Sequence, residues 1–148
     1  MKKIVLVVVM FLLAAVAGIA LAVGTVSTTK AKHGDKVVTY TMSWTGDAST
    51  GLVPETASPV FNGWGFMVVT NPGSAPTDNY DITLTDSAGV DIMGAALDNR
   101  DTANTEQVVP AITGNRRFVS GGVTLLVIGT TAAGATGDVI IYVEEDHQ

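Results

Sequence analysis

The side chains able to do chemistry are few. Asp78, Asp81, Asp86 and Asp91 cluster in one stretch, with Asp98 and Asp101 shortly after. Paired carboxylates can act as the acid and the nucleophile or base of a glycosidase, and several together can ligate calcium. Local roles explain these aspartates better. Asp78 precedes a strand pattern, Asp81 lies on its polar face, Asp86 opens a turn and Asp91 follows one. No Asp-x-Asp-x-Asp-Gly loop spaces oxygen ligands, so a calcium site through Asp78, Asp81, Asp98 or Asp101 would need the fold to gather them. His33 and His147 are the two histidines, and both lie outside the patterned region, which leaves no base for a Ser-His-Asp arrangement. The chain has no cysteine, excluding disulfides, thiolate metal sites and a Cys nucleophile. Gly-x-Ser-x-Gly, His-Glu-x-x-His and phosphate-cradling glycine motifs are also missing. The expectation is a protein that is not an enzyme and needs no cofactor or metal.

Binding chemistry is better represented. Trp44, Phe61, Trp64 and Phe66 surround one long loop, where exposed aromatics can stack on sugar rings. In the plainer reading Trp44 and Phe66 fill the core while Trp64 plugs one end of it. Arg116 and Arg117 are adjacent, able to meet a neighbour's carboxylate or to stay solvated. Trp64, Phe61, Arg116 and Arg117 therefore form the candidate binding surface. The balance of 14 acidic against 8 basic residues, a net charge of −6, argues against a nucleic-acid partner.

Period-two patterning supplies the elements that must position these groups. Residues 37–44 (VVTYTMSW) alternate, with Val38, Tyr40, Met42 and Trp44 on one face. Residues 46–62 contain Gly51, Pro54 and Pro59 and read as a long loop. Residues 65–70 (GFMVVT) are apolar on both faces and end at the turn signal Asn71-Pro72-Gly73. Residues 79–85 alternate cleanly, Asp86 to Gly89 is a turn, and Val90 to Met93 reads as the hairpin partner. Residues 94–105 read as loop, 105–112 as a short strand, and 115–118 as the lead into another strand at Val119. Residues 123–128 (VTLLVI) and 138–144 (DVIIYVE) form a last hairpin across the small-residue loop 129–137. Six or seven short strands with no amphipathic helix predict an all-β fold, an antiparallel β-sandwich or jelly-roll-like domain over residues 36–145, with 146–148 as a tail.

A two-layer domain buries one face of each sheet, yet Met67 and Val69, Leu126 and Ile128, and Ile140 and Tyr142 fall on second faces. Long loops or a neighbouring subunit should cover them, which predicts self-association.

Residues 1–22 are distinct. Met1-Lys2-Lys3 precedes an uncharged run from Ile4 to Val23, and Ala20 and Ala22 are placed for cleavage as in a secretory signal. The same run is long enough, at about 30 Å, to be a membrane-anchor helix. Residues 23–35 then read as a flexible spacer, and the folded part is expected outside the cytoplasm.

From about Lys36 to Glu144 the chain resembles small β-sandwich proteins encoded among the structural genes of tailed bacteriophages, of the head-decoration or tail-accessory type. The resemblance is carried by VVTYTMSWTGD (37–47), VVTNPGSAPTDNYDITLTDSAGVDIMG (68–94) and GGVTLLVIGTTAAGATGDVIIYVEE (121–145). It implies a non-enzymatic structural subunit, often oligomeric, and supplies no site residues. The apolar N-terminus departs from that pattern. The leading expectation is thus a structural or surface component, virion- or prophage-related, that self-associates through apolar β faces. Two alternatives stand beside it. One is an exported module that binds glycans or host surfaces through Trp64 and the 46–62 loop; the other is a filament subunit assembled through its N-terminal hydrophobic helix.

Overall fold

The computed structural model describes residues 23–129 and 132–145. The expected N-terminal hydrophobic helix and the tail at 146–148 lie outside them. Among the described residues no helix is long and apolar enough to cross a membrane. The described chain is all-β, with antiparallel sheets.

Among the described residues there are nine strands: β1 (Thr25–His33), β2 (Val37–Thr45), β3 (Thr56–Ala57), β4 (Asn62–Pro72), β5 (Asp81–Thr85), β6 (Glu106–Val108), β7 (Arg117–Ser120), β8 (Thr124–Ile128) and β9 (Thr136–Glu145). The larger sheet runs β1-β2-β9-β4-β6, with β7 also on β4, and the smaller runs β3-β8-β5. Their apolar faces share one core. Val38, Tyr40, Met42 and Trp44 of β2 and Val139, Ile141 and Val143 of β9 enter it from the larger sheet, and Ile82, Leu84, Leu125 and Val127 from the smaller. Alternation along β2, β5 and β8 is therefore a record of burial.

Three expectations give way. Residues 23–35 are not a free spacer, because β1 occupies most of them and pairs in register with β2 from Thr25↔Thr45 to His33↔Val37. As an edge strand β1 is solvated on both faces over most of its length, so it carries no apolar alternation. Its Lys30 and Lys32 share the face that in β2 is core, a placement that blunts an exposed edge against further pairing. Residues 123–128 and 138–144 do not form a hairpin either. β8 pairs with β3 and β5, whereas β9 pairs with β2 and β4, so the loop between them crosses from one sheet to the other. Finally, Val90 to Met93 returns only as a bridge, Thr85↔Asp91, with the Ile92 amide donating to the Leu84 carbonyl.

The doubly apolar β4 has a mechanical explanation. Its register against β9 shifts between Gly65 and Met67. Phe66 is the extra residue of this bulge, which turns Val68 and Thr70 inward and leaves Met67 and Val69 on the outer face.

Candidate binding surface

Six of the aspartates are occupied by backbone amides. Asp47 accepts from the amides of Ser49 and Thr50, Asp86 from Ala88 and Val90, Asp91 from Met93 and Ala95, and Asp101 from Ala103 and Asn104. Each oxygen holds a turn whose amides would otherwise lack a partner. These bonds favour the charged form and hold the carboxyls of Asp47 and Asp101 below 3.8: for Asp47 chiefly through Thr50 and Ser49, for Asp101 chiefly through the Asn104 side chain. Asp81 accepts from the Asn99 amide, and Asp78 from the amide that follows it. Among the described residues no three His, Asp or Glu side chains gather as metal ligands.

The exposed aromatic chemistry lies on the outer face of the larger sheet. Trp64 pairs with Phe118 of β7 and with Glu144 of β9, which brings all three to that face. The Trp64 and Phe118 rings meet edge to face at 5.4 Å, yet both remain more than two-fifths exposed. The Arg116 guanidinium lies 5.9 Å from the Trp64 ring centroid and donates to the Glu144 carboxylate. Val37, Phe66, Arg116 and Glu144 bound a shallow groove of about 270 Å³. Beyond it Phe66 leans on Tyr142 at 6.1 Å, followed by the cross-strand pairs Met67↔Tyr142 and Val69↔Ile140. The arrangement offers aromatic stacking and apolar contact flanked by one ion pair, with no nucleophile or paired acid and base.

The four candidate residues separate. Trp64 and Arg116 come together, but Phe61 is buried and stacks on Tyr40 with centroids 4.6 Å apart, so it is a core residue and no part of a binding surface. Arg117 is on the opposite face of β7 from Phe118, beside a narrow crevice between Met93 and Pro110. The plainer reading of the aromatics is half right: Trp44 is buried in the core, whereas Phe66 is on the outer face and Trp64 is substantially exposed. Arg116 finds its carboxylate within its own chain. Phe118 and Glu144 were invisible as partners of Trp64 because only the pairing of β4 with both β7 and β9 aligns them.

A second network ties the larger sheet together nearby. The Tyr40 hydroxyl donates to Glu145, which also pairs with Lys30 at 2.8 Å. Burial raises the Tyr40 hydroxyl above 10.0, with the Glu145 hydrogen bond adding to it. Lys30 is raised above 10.5, mainly by its hydrogen bond to Glu145.

No protein-family model matches the chain, and searches of curated proteins and of solved structures returned no match.

Proposed function

We propose that the protein is a non-enzymatic structural or surface component, a β-sandwich that self-associates through the outer face of its larger sheet. Residues 1–22 deliver it to a membrane or hold it there, with the β domain outside the cytoplasm, and by resemblance it is related to virion or prophage components. The observation that carries this reading is the apolar run Trp64, Phe66, Met67, Ile140, Tyr142 and Phe118 on one sheet face, outside the shared core. Among the described residues no further sheet lies against it. A second copy related by a two-fold axis would present the same face to itself. Sedimentation equilibrium on the chain from Val23 onward, which keeps all of β1, tests this. The expected result is a concentration-dependent dimer or larger species that Tyr142→Lys disperses. A strictly monomeric wild-type chain at high concentration overturns it.

The exposed Trp64 beside the Arg116–Glu144 pair supports a second reading, an exported module that binds glycans or host surfaces, with the indole as stacking platform. Unaltered glycan or cell binding by Trp64→Ala removes it.

A further inference from the structure

We infer that the end of the β domain where β1 begins is seated directly on a zwitterionic lipid surface through Val23, Leu52 and Ile128. This rests on the reading that residues 4–23 stay on the chain as a membrane anchor.

A dozen flexible residues would let the domain drift tens of ångströms from the bilayer. β1 removes that freedom, because it is paired with β2 from Thr25 onward. Gly24 before it is buried, and a Cβ there would strike the Leu52 carbonyl and lie 3.0 Å from both the Asp47 nitrogen and the Pro54 ring. The anchoring loop is firm in turn. The Asp47 amide donates to the Leu52 carbonyl, Gly51 to Asp47, Gly46 to Ala135 and Gly134 back to Asp47. The apolar run that ends at Val23 therefore abuts a fixed point of the fold. One residue spans at most about 3.6 Å, so this end has no room to stand away from the headgroups.

The surface at that point suits contact with lipid. Val23 is 74% exposed, Leu52 69% and Ile128 50%, high values for side chains of this kind. They line two adjoining shallow grooves that share Thr50, Leu52 and Val53. One groove, of about 340 Å³, reaches Val23 and Gly24, and the other, of about 230 Å³, reaches Leu126 and Ile128. The neighbouring carboxylates do not favour an anionic bilayer. Asp47 borders one groove and Asp81 pairs with Ile128, although both accept amide hydrogen bonds from within the fold. Among the described residues no lysine or arginine lines either groove to hold an acidic headgroup. Hence the proposed surface is zwitterionic.

The cysteine-free chain makes the test clean. Full-length protein with a single Leu52→Cys, Ile128→Cys or, toward the other end of β1, Ala31→Cys is labelled with bimane and reconstituted into phosphatidylcholine vesicles carrying nitroxide lipids. Quenching at residues 52 and 128 is expected to exceed that at 31 on the order of twofold, as for side chains at the headgroup boundary. Equal quenching at all three sites overturns the seating while leaving the membrane-held reading intact. A label at 52 shielded from aqueous iodide but untouched by nitroxide lipid also overturns it, since a protein segment then covers the patch. Failure of the full-length chain to float with the vesicles overturns the membrane-held reading and the seating with it.

Discussion

At the end of the domain where Gly24 is pinned, the exposed large apolar side chains are Val23, Leu52 and Ile128. Eight residues along β9, roughly 26 Å away, the other end presents Trp64, Phe118 and the Arg116–Glu144 pair, with Lys32 and Lys36 close by. The ends also differ inside. Near the first, the Trp44 indole lies over Gly137 and tilts against Tyr80 at 5.8 Å. Near the second, Tyr40 stacks on Phe61 and reaches out to Glu145 and Lys30. One end is closed by packing and carries exposed apolar side chains; the other is laced by charge and open. A body polarised in this way can stand on one end and present the other, which is what a surface component requires.

Glycines test the packing contrast most severely. A Cβ on Gly137 would lie 2.6 Å from Cζ2 of Trp44, whose ring is buried and cannot swing away. Gly137→Ala is expected to cost about 3 kcal/mol, the upper range for overpacking. Gly34, in the turn between β1 and β2 at the other end, has φ of +70° and nothing within 4 Å of its Cβ position. Gly34→Ala should cost only about 1 kcal/mol, for the left-handed backbone alone. Urea midpoints of the two variants measure the difference; equal losses would abolish the contrast.

Alkaline pH probes the same two ends through their tyrosines. Burial, with help from Glu106 and Asp101, pushes the Tyr80 hydroxyl up to about 12, and Tyr40 is raised mainly by burial. A raised value means that the folded state favours the neutral phenol. The stabilisation is full below the unfolded value of 10.0 and is lost as pH rises through the folded one. Denaturation midpoints should therefore fall between pH 10 and about 12. Tyr80→Phe should remove more of that fall than Tyr40→Phe, because Lys30 works against the rise at Tyr40.

A smaller effect is expected between the two ends. The Thr70 hydroxyl is buried on the inner face of β4 and has no hydrogen-bond partner. Thr70→Val exchanges it for a methyl of similar shape, so stability should stay level or rise by up to about 1 kcal/mol. A loss of that size in a thermal melt would mean the hydroxyl is satisfied.

These positions also show what a pattern of apolar residues can and cannot reveal. β2, β5, β8 and β9 were legible because each sends alternate side chains into the core, and the Asp86 turn because its carboxylate and Gly89 have local work to do. β1 was illegible because an edge strand solvated on both sides is specified by its neighbour's backbone, not by burial. The partner of β9 is not legible in the same way, because the chain crosses between sheets after β8 and such a crossing leaves no mark on either strand. In the candidate surface, Trp64 and Arg116 could be named from residue type. Phe61 could not be told from them, since a loop residue that turns inward shows no periodicity. Phe66 and Met67 reach the outer face through a one-residue bulge, and the apolar run itself did not disclose it.

The smallest stability effect carries the sharpest separation of fold from surface. Arg116 and Glu144 form an ion pair, but their side chains are 45% and 37% exposed. Solvent screens such a pair, and breaking it should change stability by no more than about 0.5 kcal/mol. The same guanidinium sits over Trp64 and borders the groove with Val37 and Phe66, so its removal alters the open end of the outer face. Arg116→Ala is therefore expected to leave the urea midpoint almost unmoved while changing the salt dependence of self-association. Glu144→Gln, which keeps the shape and removes the charge, should reproduce the salt effect if charge is what matters. A large loss of stability in either variant would place this pair in the framework of the fold, and the two ends would then differ in packing but not in role.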